Sequence, residues 1–162
     1  PTIAMIQGHC IGGGMGLAVA CDIRLCEDKS RFAIPAAKLG LGYGYEGIRR
    51  LANLVGPAMV KEIFFTARQF SAGEAKEMGL VNRVLPPHML APYVDDYAKR
   101  ISENAPMTME SVKAIVQAIQ DDESARDLDA LDAMVKACFA SQDYIEGRRA
   151  FMEKRKPDFT GS

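Results

Sequence analysis

The stretch GHCIGGGMG, residues 8–16, lies between an apolar run at residues 3–6 and an alanine-rich run at residues 17–21; five of its nine residues are glycine. Glycine loses more backbone freedom on folding than any other residue, so clustering it where a strand gives way to a helix is costly. The compensation is something that must approach the backbone where side chains would obstruct it. A helix that opens on glycines presents unpaired N–H groups at its positive end, and a missing Cβ lets an anionic oxygen come close. A tight turn with close helix packing accounts for the same glycines equally well.

Phosphate is the first anion to consider. The stretch has no G-x-x-x-x-G-K-[ST], and no lysine follows Gly13. A literal G-x-G-x-x-G occurs at GYGYEG, residues 42–47, but AAKLG before it is not strand-like, and no later strand carries a ribose-binding acid. Dinucleotide binding is therefore disfavoured. The second anion is a single developing oxyanion, for which one donor contributes about 3 kcal/mol when the charge exists only in the transition state. There is no G-x-S-x-G, and Cys10 has no evident base partner, so covalent acyl transfer is disfavoured. An oxyanion without a nucleophile suggests an enolate.

Composition bounds the remaining possibilities. The chain has 162 residues, is 48% hydrophobic and 25% charged, and has a formal net charge of −1, which suits an ordinary globular domain with a core. Near-neutral charge gives no reason to expect nucleic acid or an anionic membrane surface as partner. The apolar runs are too short to span a bilayer, and the start does not resemble a signal peptide. Four cysteines, Cys10, Cys21, Cys26 and Cys138, form no C-x-x-C pair, and the only histidines are His9 and His88. A reduced, cytoplasmic setting without a metal site is the expectation.

Along the chain, strands are expected at residues 2–7, 23–26, 31–34 and 81–85, with a short small-residue helix at 14–21. Ile48, Leu51, Ala52 and Val55 share one helical face, closed by Gly56-Pro57 before a second helix. SAGE, residues 71–74, has the capping-box spacing, and Gly79 marks the end of that helix. After Pro86-Pro87 the pattern is helical, with stripes at Leu90, Val94, Tyr97, Ala98 and Ile101, then Val112, Ile115, Val116 and Ile119, then Leu128, Leu131, Val135 and Cys138. A last helix over residues 142–155 ends in the basic run Lys154-Arg155-Lys156. The expectation is an α/β part at 1–85 followed by a helical part at 86–162. The apolar stripes of the latter fit either a core or a surface covering a neighbouring subunit.

PTIAMIQGHCIGGGMGLAVACDIR (1–24), FAIP (32–35), the loop 40–47, LVGPA (54–58), TARQFSAGEAKEMGLV (66–81) and EGRRAFMEKRKP (146–157) together resemble the enoyl-CoA hydratase/isomerase (crotonase) superfamily, in order and over essentially the whole chain. The resemblance implies a spiral of ββα turns followed by helices that build a trimer, often stacked as a hexamer. It implies an acyl-CoA thioester substrate, with coenzyme A entering as part of that substrate and no tightly bound cofactor. The thioester oxygen is held by two backbone amides, of which one falls on Gly13. The other belongs to a segment preceding Pro1, so the chain is expected to be the C-terminal portion of the fold. Phe151 and Lys154 fall on positions that meet the CoA of a neighbouring subunit, Phe151 by packing and Lys154 through a phosphate. A solvated helix end explains the basic run as well.

Hydratases of the family use two glutamates, one after the glycine run and one after the proline of F-x-x-P. Those positions are Gly16 and Ala36 here, so neither can move a proton. What remains is chemistry needing little beyond the oxyanion hole, such as decarboxylation of a malonyl-type thioester. LGLGYGYEGI (39–48) and the tail at 141–161 resemble the corresponding parts of methylmalonyl-CoA decarboxylases, which places Tyr43 where it would orient the departing carboxylate. A loop aromatic that simply covers the core is the alternative for Tyr43. Three other readings stay open: Glu46 as a displaced base for hydratase or isomerase chemistry, His9 as a proton donor, and a non-catalytic acyl-CoA-binding or oligomeric member.

Overall fold

The computed structural model describes residues 1–162. Its elements run β1 (Ile3–Ile6), β2 (His9–Ile11), α1 (Gly13–Ala20), β3 (Ile23–Glu27), β4 (Arg31–Ala33), a 3-10 helix (Pro35–Leu39), α2 (Tyr45–Thr66), β5 (Phe70–Ser71), α3 (Ala72–Glu77) and β6 (Arg83–Leu85). α4 (Pro87–Ser102), α5 (Pro106–Gln120), a 3-10 turn (Glu123–Ala125), α6 (Leu128–Ala140) and α7 (Gln142–Glu153) follow. The chain divides into two compact units, Thr2–Asp95 and Asp96–Ser162 with Pro1. Strands end at Leu85, where the sequence places its boundary. The units part further on, inside α4, whose fully buried Leu90 belongs with the first.

In the first unit, β1, β3 and β6 form a parallel sheet in the order β1-β3-β6, with Ile3 opposite Ile23 and Cys26 opposite Val84. β2 and β4 pair in parallel, and β5 lies antiparallel on β4. Consecutive strands thus enter different sheets before a helix follows, which is the ββα turn of the spiral. The crossing from β1 to β2 turns at Gly8, whose φ of 66° is a left-handed value open to glycine at little cost. That turn is tied down by Gly8 N–H donating to Glu27 Oε1 at 2.9 Å and by Arg31 N–H donating to the Gly8 carbonyl at 3.0 Å. The buried Ser30 hydroxyl donates to the Ile6 carbonyl.

The strand His9–Ile11 inside the glycine stretch is not expected from the sequence. Its three residues stand between Gly8 and Gly12 with no longer strand-forming run around them, and the segment is ordered by its ladder to β4, which places Cys10 opposite Phe32. β5 likewise sits in no longer run and is ordered by its pairing with β4. α2 breaks at Gly56 (φ 79°, ψ 160°) where Gly56-Pro57 predicts a division, and it buries Leu51, Val60 and Ile63. The capping box on α3 forms as spaced: Glu74 N–H donates to Ser71 Oγ, and Ser71 N–H donates to Glu74 Oε2 at 2.8 Å. Phe32, Phe70, Met15, Leu51 and Ile63 fill the core between these elements.

The second unit holds α5 to α7, and its apolar stripes are largely uncovered. Val112, Ile119, Leu128 and Phe151 are all exposed, and Ala150 is the only hydrophobic side chain buried from Asp96 onward. Order at the chain end comes from polar groups instead. The buried Asp143 carboxylate accepts from Thr160 N–H at 2.8 Å and Gly161 N–H at 2.9 Å, while Asp143 N–H donates to the Ser162 carbonyl. The tail is thereby laid back along α7, with Phe159 against Gly147.

Candidate active site

Gly13 is the first residue of α1, and Gly12 is its N-cap with φ 57° and ψ −117°, a conformation that side-chain-bearing residues avoid. Gly12 N–H donates to the Ala33 carbonyl at 2.9 Å, and Gly16 N–H donates back to the Gly12 carbonyl. Gly12 is thus the hinge on which the β2–β4 ladder converts into a helix. The amides of Gly13 and Gly14 belong to the first helical turn, which has no internal acceptors for them. Both residues are exposed, and a Cβ on either would meet nothing within 4 Å. Packing therefore does not require these two glycines, whereas backbone geometry requires Gly12.

α1 carries glycine at three of its eight positions and is held in place from its other end. Arg24 on β3 is buried, its Nε donating to the Leu80 carbonyl at 2.8 Å and its Nη1 to the carbonyls of Cys21 at 2.6 Å and Ala18 at 3.4 Å. A guanidinium there satisfies the last carbonyls of α1 and complements the negative helix end. Burial pushes its pKa down from the usual arginine range, and the carbonyls are what keep the charge tolerable inside. The sequence reading does not single out Arg24. Its one signal is a lone charge inside the strand run IRLC.

Tyr43 lies on the loop before α2, half buried, with its ring edge-on to Phe64 at 5.0 Å between centroids. Its Cε1 is 2.9 Å from where a Cβ on Gly47 would stand, and its hydroxyl is 3.6 Å from where a Cβ on Gly16 would stand. Gly13 and Gly16 are three residues apart on α1, so the phenol reaches the same helical face roughly 5 Å along the axis from the Gly13 amide. The two catalytic candidates are thus brought to one face of one helix. A small cavity of about 30 Å³ opens there, lined by Met15, Gly16, Val19, Ile34, Tyr43, Gly47, Arg50 and Leu51. Ala36 is buried in the first turn of the 3-10 helix.

The other candidates are placed differently. Glu46 stands in the first turn of α2 and pairs with Arg49 at 2.9 Å, outside the cavity lining. His9 is exposed on β2. Cys10 is buried, and burial pushes its thiol up to about 11, which suits a packing residue rather than a nucleophile. Phe151 and Lys154 both belong to the second unit. Phe151 is 83% exposed, and Lys154 caps α7 in a left-handed conformation (φ 53°). Arg155 turns back onto Glu146 and Glu153, so the basic run is partly consumed by ion pairs. A groove of about 550 Å³ lies in this unit and is walled by apolar residues including Ile115, Val135, Phe139 and Phe151. The candidates Gly13 and Tyr43 lie in the first unit and are not among its walls. No group of three or more histidine, cysteine or acidic side chains is placed to hold a metal, and no helix is long and apolar enough to cross a membrane.

A ββα spiral whose glycine-opened helix leaves amides free beside an unbonded phenol defines a crotonase-type fold. The chain belongs to the enoyl-CoA hydratase/isomerase family, whose description matches residues 1–162. Crotonyl-CoA hydratase from Syntrophomonas wolfei is 40% identical over 161 residues, covering 98% of this chain and 61% of the relative. Carnitinyl-CoA dehydratase from Salmonella arizonae is 36% identical, covering 99% of this chain and 63% of that protein. A solved enoyl-CoA hydratase/carnithine racemase from Magnetospirillum magneticum superposes with a TM-score of 0.90 at 35% identity, covering all of this chain and 60% of its own. The chain spans about three-fifths of the length of these relatives. Their names are those of hydratases and a dehydratase; the likeness of the Tyr43 loop to decarboxylases rests on the sequence alone.

Proposed function

We propose that this chain supplies the enolate-stabilising amide of an enzyme acting on acyl-CoA esters, and that its reaction is loss of CO₂ from a malonyl-type thioester. The single observation behind this reading is the exposed Gly13 amide at the start of α1, with the Tyr43 phenol filling the space beside Gly16. In such a step the bond between the carboxylate and the α-carbon breaks. The electron pair passes into the thioester, whose oxygen takes the charge at Gly13; CO₂ departs, and water returns a proton to the α-carbon. No carboxylate base is needed, which fits Gly16 and Ala36. Phe151 and Lys154 are assigned to the CoA of a neighbouring subunit. The uncovered stripes of α5 and α6 support a homotrimer or hexamer. Four free cysteines suit a reducing, cytoplasmic setting.

A second reading is favoured by the names of the relatives, which are those of enzymes adding or removing water. In this chain it requires Glu46 to leave Arg49 and serve as the base. Incubating the full-length protein with methylmalonyl-CoA, malonyl-CoA and crotonyl-CoA, followed by mass spectrometry, separates the readings. Loss of CO₂ is the expected result, and Tyr43→Phe should slow it about tenfold or more. Gain of water by crotonyl-CoA with the malonyl esters intact overturns the decarboxylase reading in favour of the hydratase. Three unchanged esters leave only a binding role.

A further inference from the structure

Arg50 lies on the same face of α2 as Gly47, one turn on from the position over which the Tyr43 ring is packed. It is the one charged residue lining the small cavity beside Gly16; the rest are glycines, apolar side chains and Tyr43. The neighbouring Arg49 is committed to Glu46 at 2.9 Å, whereas Arg50 makes no ion pair or hydrogen bond, and neither does the Tyr43 hydroxyl. An unbonded phenol and an unbonded arginine side chain therefore line a space with no acid in its walls. At about 30 Å³ that space admits a group of two or three heavy atoms, not an alkyl chain. A carboxylate is the complementary occupant: it accepts from a phenol and takes a guanidinium through both oxygens.

We propose that Arg50 is the specificity-determining residue that selects acyl-CoA esters bearing a carboxylate on the acyl portion. This rests on the reading above in placing the thioester at α1. Decarboxylation drains charge from the carboxylate as the transition state forms, so a guanidinium held on it favours the bound ester at least as much as the transition state. The contribution of Arg50 then falls in KM rather than in kcat.

The test is the affinity of the full-length protein for malonyl-CoA and for butyryl-CoA, read by rapid mixing before the first turnover completes, in the wild type, Arg50→Gln and Arg50→Lys. Arg50 is exposed, so both variants are expected to fold, with circular dichroism as the check. The expected result is a wild-type preference for malonyl-CoA that Arg50→Gln reduces tenfold or more, with butyryl-CoA affinity retained and Arg50→Lys intermediate. An equal loss for both esters, an unchanged preference, or no binding of malonyl-CoA to the wild type overturns the proposal. Because binding is read without turnover, Arg50-dependent malonyl-CoA binding without CO₂ loss would sink the decarboxylase reading alone. CO₂ loss with an unchanged KM in Arg50→Gln would sink the Arg50 assignment alone.

Discussion

Ring atom Cε1 of Tyr43 lies 2.9 Å from the point a Cβ on Gly47 would occupy, closer than real Cβ contacts come. The bare position on α2 is therefore what seats the ring, and the seated ring is what carries its hydroxyl to α1. Gly47→Ala is expected to displace Tyr43 and reduce turnover at least tenfold. Stability should barely change, because alanine gains up to about 1 kcal/mol of helix propensity that offsets the clash. With Tyr43→Ala already present, the same Gly47→Ala change should stabilise by about 1 kcal/mol in urea melts. Additive effects in the double variant would show that the two residues are not coupled.

Gly12 and Gly13 are adjacent but differ in what they require. Gly12→Ala forces a side chain into φ 57°, ψ −117° and should cost about 1–3 kcal/mol, read as a lowered thermal midpoint. Gly13→Ala meets nothing within 4 Å and should leave the midpoint unchanged. Its methyl crowds the approach to the amide, so turnover should fall tenfold or more. A Gly13→Ala variant with full activity would remove that amide from the site.

Glu74 closes the α3 capping box. Hydrogen bonds from Ser71 N–H, from Arg68 and from the Ser71 hydroxyl hold its carboxyl down at about 2. A depressed carboxylate stabilises the fold fully above its unfolded value near 4.5 and ceases to do so as pH falls through about 2. Ser71→Ala should cost about 1 kcal/mol at neutral pH. Its deficit relative to wild type should shrink as pH is lowered from 5 towards 2, as measured by denaturant melts. A deficit independent of pH would show that the box does not act through the Glu74 charge.

Cys10 and Cys26 are buried, and burial raises their thiols to about 11 and about 12. Neither should react with a disulfide reagent at pH 8 until the protein unfolds, while Cys21 and Cys138, less buried, should label in the native state. Peptide mapping of the labelled protein checks the pattern.

Much of this fold is legible in the sequence. Leu51 with Val55, the Gly56-Pro57 break and the SAGE cap are local signals, because a helical face, a backbone angle and a four-residue hydrogen-bond ring are each decided within a few residues. β2 and β5 were not legible, since neither sits in a longer apolar run and each is ordered by its pairing with β4. Of the candidate site, the glycine stretch was marked by its composition, whereas Gly13 and Tyr43 were singled out by a resemblance. Arg24 and Arg50 were missed, because a lone arginine in a strand or helix carries no period or spacing to mark it.

The sequence by itself determined the family, the glycine-opened helix and the absence of carboxylates at positions 16 and 36, because these depend on which side chains exist. Only the tertiary structure decided that the Tyr43 phenol stands over Gly16 and that Arg50 lines the same cavity. Those are distances between segments far apart or differently oriented in the chain, and they are fixed by packing of α2 against α1 rather than by any local preference.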